Sequence, residues 1–229
     1  MNIWLASGNK HKQQEMAAIF AANTLRLPSE AGISSFDPEE TGSTFAENAL
    51  IKARTLYRLL KTAPAAAPGR IPAGPVLADD SGLCVDALGG RPGIYSARYH
   101  GKDSWDGDGN FRMASGKPEK LTDSERNALL LEELAAWQSA GSGLRSCRFV
   151  CAMVLLFSPA RFYLVQETLE GEIVASAAEI RGAGGFGYDP IVYLPELGRT
   201  VAELSEEEKN RRSHRGRAGR VMAKFLTGD

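Results

Sequence analysis

The middle of the chain contains a stretch that reads Val76-Leu77-Ala78-Asp79-Asp80-Ser81-Gly82-Leu83. A short apolar run, typical of a buried strand, leads into two adjacent carboxylates, a hydroxyl and a glycine. We expect Ser81-Gly82 to form the turn that ends this strand. Because ligands of α/β sheets lie beyond strand ends and adjacent carboxylates repel each other, a hard cation such as magnesium is the expected guest. The alternative is an ordinary turn whose acidic side chains lie in water.

Composition sets broad limits on the function. The 229 residues are 43% hydrophobic and 24% charged, as in an ordinary globular protein. The net charge of −1 provides no global field that would attract nucleic acid or a membrane. The apolar residues 1–6 are too few for a signal segment or a spanning helix, so we expect a cytoplasmic protein. Three scattered cysteines argue against a disulfide framework or a zinc site and are expected to be buried thiols: Cys84, Cys147 and Cys151.

A strand, a glycine turn and a helix are predicted at the N-terminus. The strand covers residues 2–7 and the helix residues 13–22, where apolar residues recur at helical spacing. Such a turn directs backbone N–H groups and the positive end of the helix dipole at one point, which suits a phosphate. Its candidate phosphate-binding residues are Ser7, Gly8, Asn9, Lys10, His11 and Lys12. The spacing is not that of a P-loop, and the alternative is an ordinary connection with solvated lysines.

A second helix is predicted to start near Thr44, because Thr44-x-x-Glu47 matches a capping box. Glu39 and Glu40 precede it, where they either face the Asp79-Asp80 turn or only favour the dipole of the helix start. Residues 61–75, rich in alanine and proline, and residues 101–122, polar and rich in glycine, are predicted to be loops.

The second half of the chain combines one helix with a meander. Residues 123–137 are predicted to be a helix that is capped by Asp123 or Ser124 and turns Trp137 inward. Residues 145–157 and 162–168 are predicted to pair as a hairpin, which residues 171–174 continue. A glycine-rich element, residues 182–190, then offers Phe186 and Tyr188 as aromatic faces for a base, and residues 191–194 are predicted to be a strand.

The last segment is basic and contains a second capping box, Ser205-x-x-Glu208. On one continuous helix Lys209 and Arg215 would face different directions, since each residue turns by about 100°. If they share a ligand, the helix breaks near Arg212 and Ser213 caps a second helix. The alternative is a solvated basic helix face.

Six motifs in this order resemble the inosine triphosphate pyrophosphatase family, also called the Ham1 family. The resemblance runs from residue 3 to about residue 226. The motifs are Ser7-Gly8-Asn9-x-x-Lys12, Thr44-Phe45-x-Glu47-Asn48-Ala49, Ala78-Asp79-Asp80-Ser81-Gly82-Leu83, Gly89-Gly90-x-Pro92-Gly93-x-Tyr95-Ser96-Ala97-Arg98, Gly185-Phe186-Gly187-Tyr188-Asp189-Pro190 and Ser213-His214-Arg215. The two predicted loops, residues 61–75 and 101–122, depart from the usual bacterial pattern without touching a motif.

The resemblance implies a fold and an activity. The fold is α/β, a long curved mixed sheet flanked by helices that forms one catalytic domain over residues 1–229, with two lobes around a central cleft. The activity is hydrolysis of ITP, dITP and XTP to the monophosphate and pyrophosphate, with Mg²⁺, by a homodimer. The neutral charge balance separately argues against a nucleic-acid or membrane partner.

The resemblance also implies residue roles. Asp80 would be the proton acceptor and a metal ligand, helped by Glu40 or Glu39. Lys12 and Lys209 would brace the triphosphate, with Ser81 at the substrate. The base and sugar would be surrounded by Phe186, Gly187, Tyr188 and Asp189, and His214 and Arg215 would meet the base.

Two other functions stay open at this point. One is a pyrophosphatase of similar fold that acts on other nucleotides, such as modified pyrimidines. The other is a nucleotide-binding regulator without catalysis.

Overall fold

A mixed sheet of seven strands, flanked by helices, runs through the described part of the chain. The structure is a computed structural model that describes residues 1–63, 74–101, 104–105, 121–139 and 143–227. The strands lie in the order β2-β1-β3-β4-β5-β6-β7. Their bounds are Asn2–Leu5 (β1), Thr24–Arg26 (β2), Val76–Val85 (β3), Ser146–Ser158 (β4), Arg161–Ile173 (β5), Val192–Leu194 (β6) and Arg199–Thr200 (β7). The predicted α/β class is confirmed, whereas the two lobes around a cleft stay a prediction.

The N-terminal part of the sheet is parallel. Strand β1 pairs in parallel with both β2 and β3. Parallel neighbours need a crossover connection, and helices α1 (Lys10–Ile19) and α2 (Phe45–Thr62) supply the two crossovers. Helix α1 begins three residues earlier than predicted, because Asn9 caps it by accepting a hydrogen bond from the Lys12 backbone N–H at 3.1 Å.

The C-terminal part of the sheet is antiparallel. Pro159 and Ala160 join β4 to its neighbour β5, which confirms the predicted hairpin. Strands β5 and β6 pair antiparallel, as do β6 and β7. Strand β5 continues to Ile173 and so absorbs residues 171–173, which the sequence had suggested as a separate element.

Strand β3 does not end where the sequence predicted. It runs through Ser81 and Gly82 to Val85, so the predicted turn at Ser81-Gly82 is wrong. The strand continues because Leu83 and Val85 are fully buried beyond the polar residues. The two carboxylates therefore lie in the middle of a strand and not at its end.

Three further helices are α3 (Asp123–Ser139), α4 (Glu206–Arg212) and α5 (His214–Thr227). The predicted cap of α3 at Asp123 or Ser124 is wrong. The Thr122 hydroxyl accepts from the Glu125 N–H at 3.3 Å, and the Glu125 carboxylate accepts from the Thr122 N–H at 2.7 Å, which is a capping box. Trp137 is 45% exposed and does not point inward.

The chain divides into two compact units, each with its own apolar core. Residues 1–81, 150–168 and 210–229 form the first unit, and residues 82–149 and 169–209 form the second. The first core includes Ile3, Leu5, Met16, Phe20, Leu77 and Met222. The second includes Leu83, Tyr99, Leu130, Phe149, Tyr188 and Ile191.

The structure tests the prediction for the cysteines but only a small part of the two predicted loops. Cys147 and Cys151 are buried free thiols in β4, as predicted, and Cys84 is a half-buried free thiol in β3. Most of the predicted loops, residues 64–73, 102–103 and 106–120, lies outside the described residues. Among the helices that the structure describes, none has the length and apolar character needed to cross a bilayer.

Candidate active site

Asp79 and Asp80 are both buried in the middle of β3, with 2% and 5% of their surface exposed. Successive side chains of a strand point to opposite faces of the sheet. The two carboxylates accordingly contact different helices: Asp79 meets α1 and α5, and Asp80 meets α2. Mutual repulsion, which the sequence suggested as the reason for a shared cation, is relieved here by separate cationic partners.

The Asp79 cluster consists of ion pairs from two helices. Lys12 Nζ lies 2.9 Å from Asp79 Oδ2. Arg215 donates to the same oxygen from Nε at 3.3 Å and from Nη2 at 3.2 Å. The Arg215 guanidinium also donates to Glu15 and, at 2.7 Å, to Ser81 Oγ. Burial alone would raise the pKa of Asp79, but Lys12, Arg215 and Lys52 outweigh it and hold that pKa well below its usual range.

The Asp80 cluster is centred on Lys52. Its Nζ lies 2.9 Å from Asp80 Oδ1 and 2.9 Å from Glu40 Oε1. The other oxygen of Asp80, Oδ2, accepts from Asn48 Nδ2 at 3.3 Å. Asn48 is itself fixed, since its Oδ1 accepts from the Gly42 N–H at 2.9 Å. Both oxygens of Asp80 are therefore held by side chains of α2.

Burial and charge act on the pKa values of this cluster in opposite directions. Burial raises the pKa of Asp80, Lys52 and Lys12 lower it, and Glu40 raises it again, so that the pKa lies above its ordinary value. For Lys52, burial acts to lower the pKa, but Asp80, Asp79 and Glu40 together raise it. Asp80 is thus the more basic carboxylate of the pair, which suits a proton acceptor.

The carboxylates of this cluster fit a magnesium ion that substrate completes. Mg²⁺ is usually held by one or two carboxylates together with water and phosphate oxygens. Glu40 and Asp80 supply two carboxylates, and Lys52 already contacts both. Glu39 is exposed, whereas Glu40 is half-buried and belongs to this cluster. Among the described residues no group of three or more His, Cys, Asp or Glu side chains is arranged to hold a metal.

The glycine turn after β1 leads into the N-terminus of α1, as predicted. Ser7 Oγ accepts from the Asn9 N–H at 3.2 Å, which closes the turn. Gly8, Asn9, Lys10 and His11 are exposed, with Lys10 and His11 in the first turn of the helix. Lys12, the next residue of the same turn, is only partly exposed and pairs with Asp79.

A separate cluster lies within the second unit. Lys209 Nζ, on α4, lies 2.7 Å from Asp189 Oδ2 and 4.5 Å from the centre of the Phe186 ring. Asp189 Oδ2 also accepts from the Phe186 N–H at 2.8 Å. Gly185 permits this turn, since it has φ of 72° and a Cβ there would lie 2.1 Å from Asp189 Oδ2. The loop and Lys209 are therefore held together around one carboxylate.

Tyr188 and Gly187 of that loop make contacts that hold the fold together. Tyr188 is 4% exposed and belongs to the apolar core, and its hydroxyl donates to the Ser96 carbonyl at 2.9 Å. The expectation that Tyr188 offers an aromatic face to a base is corrected accordingly. The Gly187 N–H donates to Asp123 Oδ2 at 2.6 Å, and the Gly187 carbonyl accepts from Asn127 Nδ2 at 3.1 Å.

The predicted helix break near Arg212 is confirmed. Helix α4 ends at Arg212, helix α5 begins at His214, and Ser213 Oγ accepts from the Gly216 N–H at 3.0 Å. His214 and Arg215 in the new first turn are 6% and 2% exposed. Arg215 thereby reaches Asp79, a partner that the sequence did not suggest for it.

Lys52 and Glu15 are residues of these clusters that the sequence analysis missed, and Asn48 appeared there only as a motif residue without a role. Asn48 and Lys52 lie one turn apart on α2, beside the buried Ala49 and Ala53. Two polar side chains four residues apart within an apolar helix face were the available signal. Glu15 carried no signal of its own, because its role depends on Arg215, which is 200 residues away along the chain.

Comparison with known proteins places this geometry in a family. A model described as "Ham1 family" matches residues 3–225. A protein of Treponema denticola named dITP/XTP pyrophosphatase is 45% identical over 228 residues, which covers 100% of both chains. A protein of the same name from Geobacillus kaustophilus is 42% identical and covers 94% of this chain and 89% of its own. The solved structure of a HAM1 protein from Coxiella burnetii has a TM-score of 0.74 and 36% identity, with 100% of both chains covered. The chain belongs to the Ham1 family.

Proposed function

We propose that this chain is a nucleoside triphosphate pyrophosphatase that hydrolyses deaminated purine nucleotides (ITP, dITP and XTP) to the monophosphate and pyrophosphate. The relatives named dITP/XTP pyrophosphatase support this reaction. The observation that carries it is the buried Glu40–Lys52–Asp80 cluster, which combines a carboxylate of raised pKa, a second carboxylate and a cation. We further propose that residues 1–229 act as one catalytic domain.

Asp80 is the proposed proton acceptor for the water that attacks near the α-phosphate. The elevated pKa of Asp80 moves it toward the operating pH, where a general base is most effective. The water must reach an oxygen of Asp80, and Asn48 holds Oδ2 while leaving Oδ1 to Lys52. In phosphoryl transfer most of the rate comes from positioning and charge stabilisation, and Lys12 and Lys52 supply positive charge on this unit.

Mg²⁺ is the proposed cofactor, with Asp80 and Glu40 as its protein ligands. When bound, it would neutralise charge on the phosphate oxygens. The pairing of Glu40 with Asp80 through Lys52 supports Glu40 over the exposed Glu39.

Phosphate, base and sugar contacts are assigned from the family resemblance. Residues 7–12 and Lys209 are the proposed triphosphate ligands, and Ser81 is a proposed contact of the substrate. The base and sugar are assigned to Phe186, Gly187, Asp189, His214 and Arg215, whereas Tyr188, whose ring is buried in the apolar core, is left out of this assignment. Within the second unit, the ammonium of Lys209 over the Phe186 ring supports a role for this loop in binding a flat, polar ligand.

Selectivity is proposed to come from His214 and Arg215, which donate to the 6-keto oxygen. Arg215 is held by Asp79, Glu15 and Ser81, so its guanidinium is rigid. An adenine amino group would leave a buried N–H that faces position 6 without an acceptor. Sites built on hydrogen bonds of this kind can discriminate by about 10⁴ to 10⁵.

A substrate panel tests the proposal. Pyrophosphate release is measured from ITP, XTP, dITP, GTP, ATP, dTTP and UTP, with and without Mg²⁺. Turnover of ITP and XTP is expected to exceed that of dTTP and UTP. Equal or slower turnover of ITP and XTP would favour a pyrophosphatase for other nucleotides, and no metal-dependent turnover would favour a regulator without catalysis.

Asp80→Asn tests the assigned base. Loss of the proton acceptor should lower kcat by about 10² to 10⁴, while binding of a non-hydrolysable ITP analogue, measured by calorimetry, stays within a few-fold. A variant that hydrolyses ITP at the wild-type rate would contradict the assignment.

A homodimer and a cytoplasmic location complete the proposal. The cytoplasm holds the nucleotide pool, and three free cysteines suit a reducing compartment. Light scattering coupled to gel filtration tests the dimer, which requires a mass of twice 24.7 kDa.

A further inference from the structure

Lys52 occupies the position between the two carboxylates of the Asp80 cluster. Its ammonium lies 2.9 Å from an oxygen of each, and the residue is 8% exposed. A lysine ammonium is a compact point charge on a flexible four-carbon stem. Two carboxylates that converge on one small cation resemble the protein part of a divalent-metal site.

The two oxygens of Asp80 are held in different ways. Oδ2 accepts from the amide of Asn48, which is locked because its own oxygen accepts from the Gly42 N–H. Gly42 allows this approach, since a Cβ there would lie 2.7 Å from Asn48 Oδ1. Oδ1 is held by Lys52, whose four-carbon side chain has more rotatable bonds than that of Asn48. The partner of Asp80 Oδ1 can therefore be exchanged more easily than the partner of Asp80 Oδ2.

We propose that Lys52 is a placeholder cation, which holds Glu40 and Asp80 together until a divalent metal replaces it and which then moves out of the cluster. The inference rests on the proposed metal-dependent hydrolysis. The local charge supports it: Glu40, Lys52 and Asp80 together carry −1, and a dication in place of the ammonium brings this to zero. While Lys52 remains, Asp80 Oδ1 accepts from an ammonium and is closed to water.

The exchange gives the resting protein a built-in requirement for metal. Because Lys52 and Asp80 are bonded to each other, the Asp80 carboxylate is not available as proton acceptor and the Lys52 ammonium is not available to substrate. Release of Lys52 would free an ammonium for phosphate oxygens at the same moment as Oδ1 of Asp80 passes from the ammonium to the metal. Lys52 is in this sense a positioning residue that acts through Asp80 and Glu40.

Metal binding without substrate tests the exchange directly. Mn²⁺ is titrated into the protein and free Mn²⁺ is measured by electron paramagnetic resonance. Lys52→Met removes the competing charge and should tighten Mn²⁺ binding by about tenfold or more. Lys61→Met removes an exposed lysine from the last turn of the same helix and should leave the affinity unchanged. Unchanged or weaker binding by Lys52→Met would overturn the proposal.

A second measurement uses the wild-type chain and does not depend on the folding of a variant. Lysines are acetylated with and without Mn²⁺, and the rate at each site is read by peptide mass spectrometry. Metal should speed acetylation of Lys52 several-fold and leave that of Lys209 unchanged. An equal or slower rate at Lys52 would mean that the ammonium stays in place. Pyrophosphate release from ITP, measured separately, reports on the proposed function, so either idea can fail without the other.

Discussion

Arg215 holds the carboxylate of Asp79 through two nitrogens, Nε at 3.3 Å and Nη2 at 3.2 Å from the same oxygen. Lys12 approaches that oxygen to 2.9 Å from another helix. The carboxylate, which is 1% exposed, thus joins α1, β3 and α5. Its role in the first unit is to keep two cations in place, in contrast to the chemical role assigned to Asp80.

Asp79→Asn should destabilise the protein by about 3–5 kcal/mol, because it removes the buried charge that Arg215 and Lys12 share and leaves Arg215 with Glu15 as its carboxylate partner. Urea unfolding at pH 7 measures the loss. Asp37→Asn, at an exposed position, is the matched control and should stay within about 0.5 kcal/mol of the wild type. A loss from Asp79→Asn as small as that of the control would show that the ion pairs contribute little.

The carboxylate of Asp79 should also make the stability of the folded protein depend on pH. Its pKa is depressed in the folded protein, so its contribution is fully present above the unfolded pKa of about 3.9 and is lost as the pH falls through the folded value. The difference in melting temperature between wild type and Asp79→Asn should persist from pH 7 to pH 5 and narrow below about pH 4. A difference in melting temperature that stays constant down to pH 3 would mean that other groups cause the loss of stability in acid.

Glu40→Gln and Glu39→Gln should separate the two candidate metal ligands. Glu40 shares Lys52 with Asp80, whereas Glu39 is exposed. Glu40→Gln should raise the Mg²⁺ concentration that gives half-maximal pyrophosphate release by about tenfold, the effect of losing one charged ligand, and Glu39→Gln should not. The reverse order would transfer the ligand role to Glu39.

Phe186 and Tyr188 should respond differently to substitution although both are aromatic residues of one loop. Phe186→Ala removes the ring beside Lys209 and should raise KM for ITP by about tenfold, the upper range of an aromatic contact. Tyr188→Phe removes only the hydrogen bond to the Ser96 carbonyl and should cost about 1 kcal/mol of stability. Its KM should stay at the wild-type value, and a marked rise there would place Tyr188 at the substrate.

The features that sequence predicted well are locally encoded. Thr44 caps α2 by accepting from the Glu47 N–H at 3.1 Å, and Ser213 caps α5 in the same manner. A cap depends on residues three positions away, so its signature is visible in the sequence. The importance of the Asp79-Asp80 pair was visible for a similar reason, since two acids after an apolar run are unusual.

The features that sequence missed depend on distant partners. Strand β3 continues through its acids because Lys12, Lys52 and Arg215, on three different helices, neutralise them. Without those partners the same residues favour a turn in water. Tyr188 is similar: its burial depends on Ser96, 92 residues away, and its own position in a glycine-rich loop favours exposure.

The alternation of β3 also determines which acid performs which task. Parallel pairing of Trp4 with Val76 and of Leu5 with Leu77 sets the register of the strand just before the acids. A single residue inserted between Leu77 and Asp79 would turn each carboxylate to the opposite face. The acid beside Lys12 and Arg215 would then meet α2, and its neighbour would lose Lys52. A slip of one position between this pairing and the two acids would therefore exchange the structural and the reactive carboxylate.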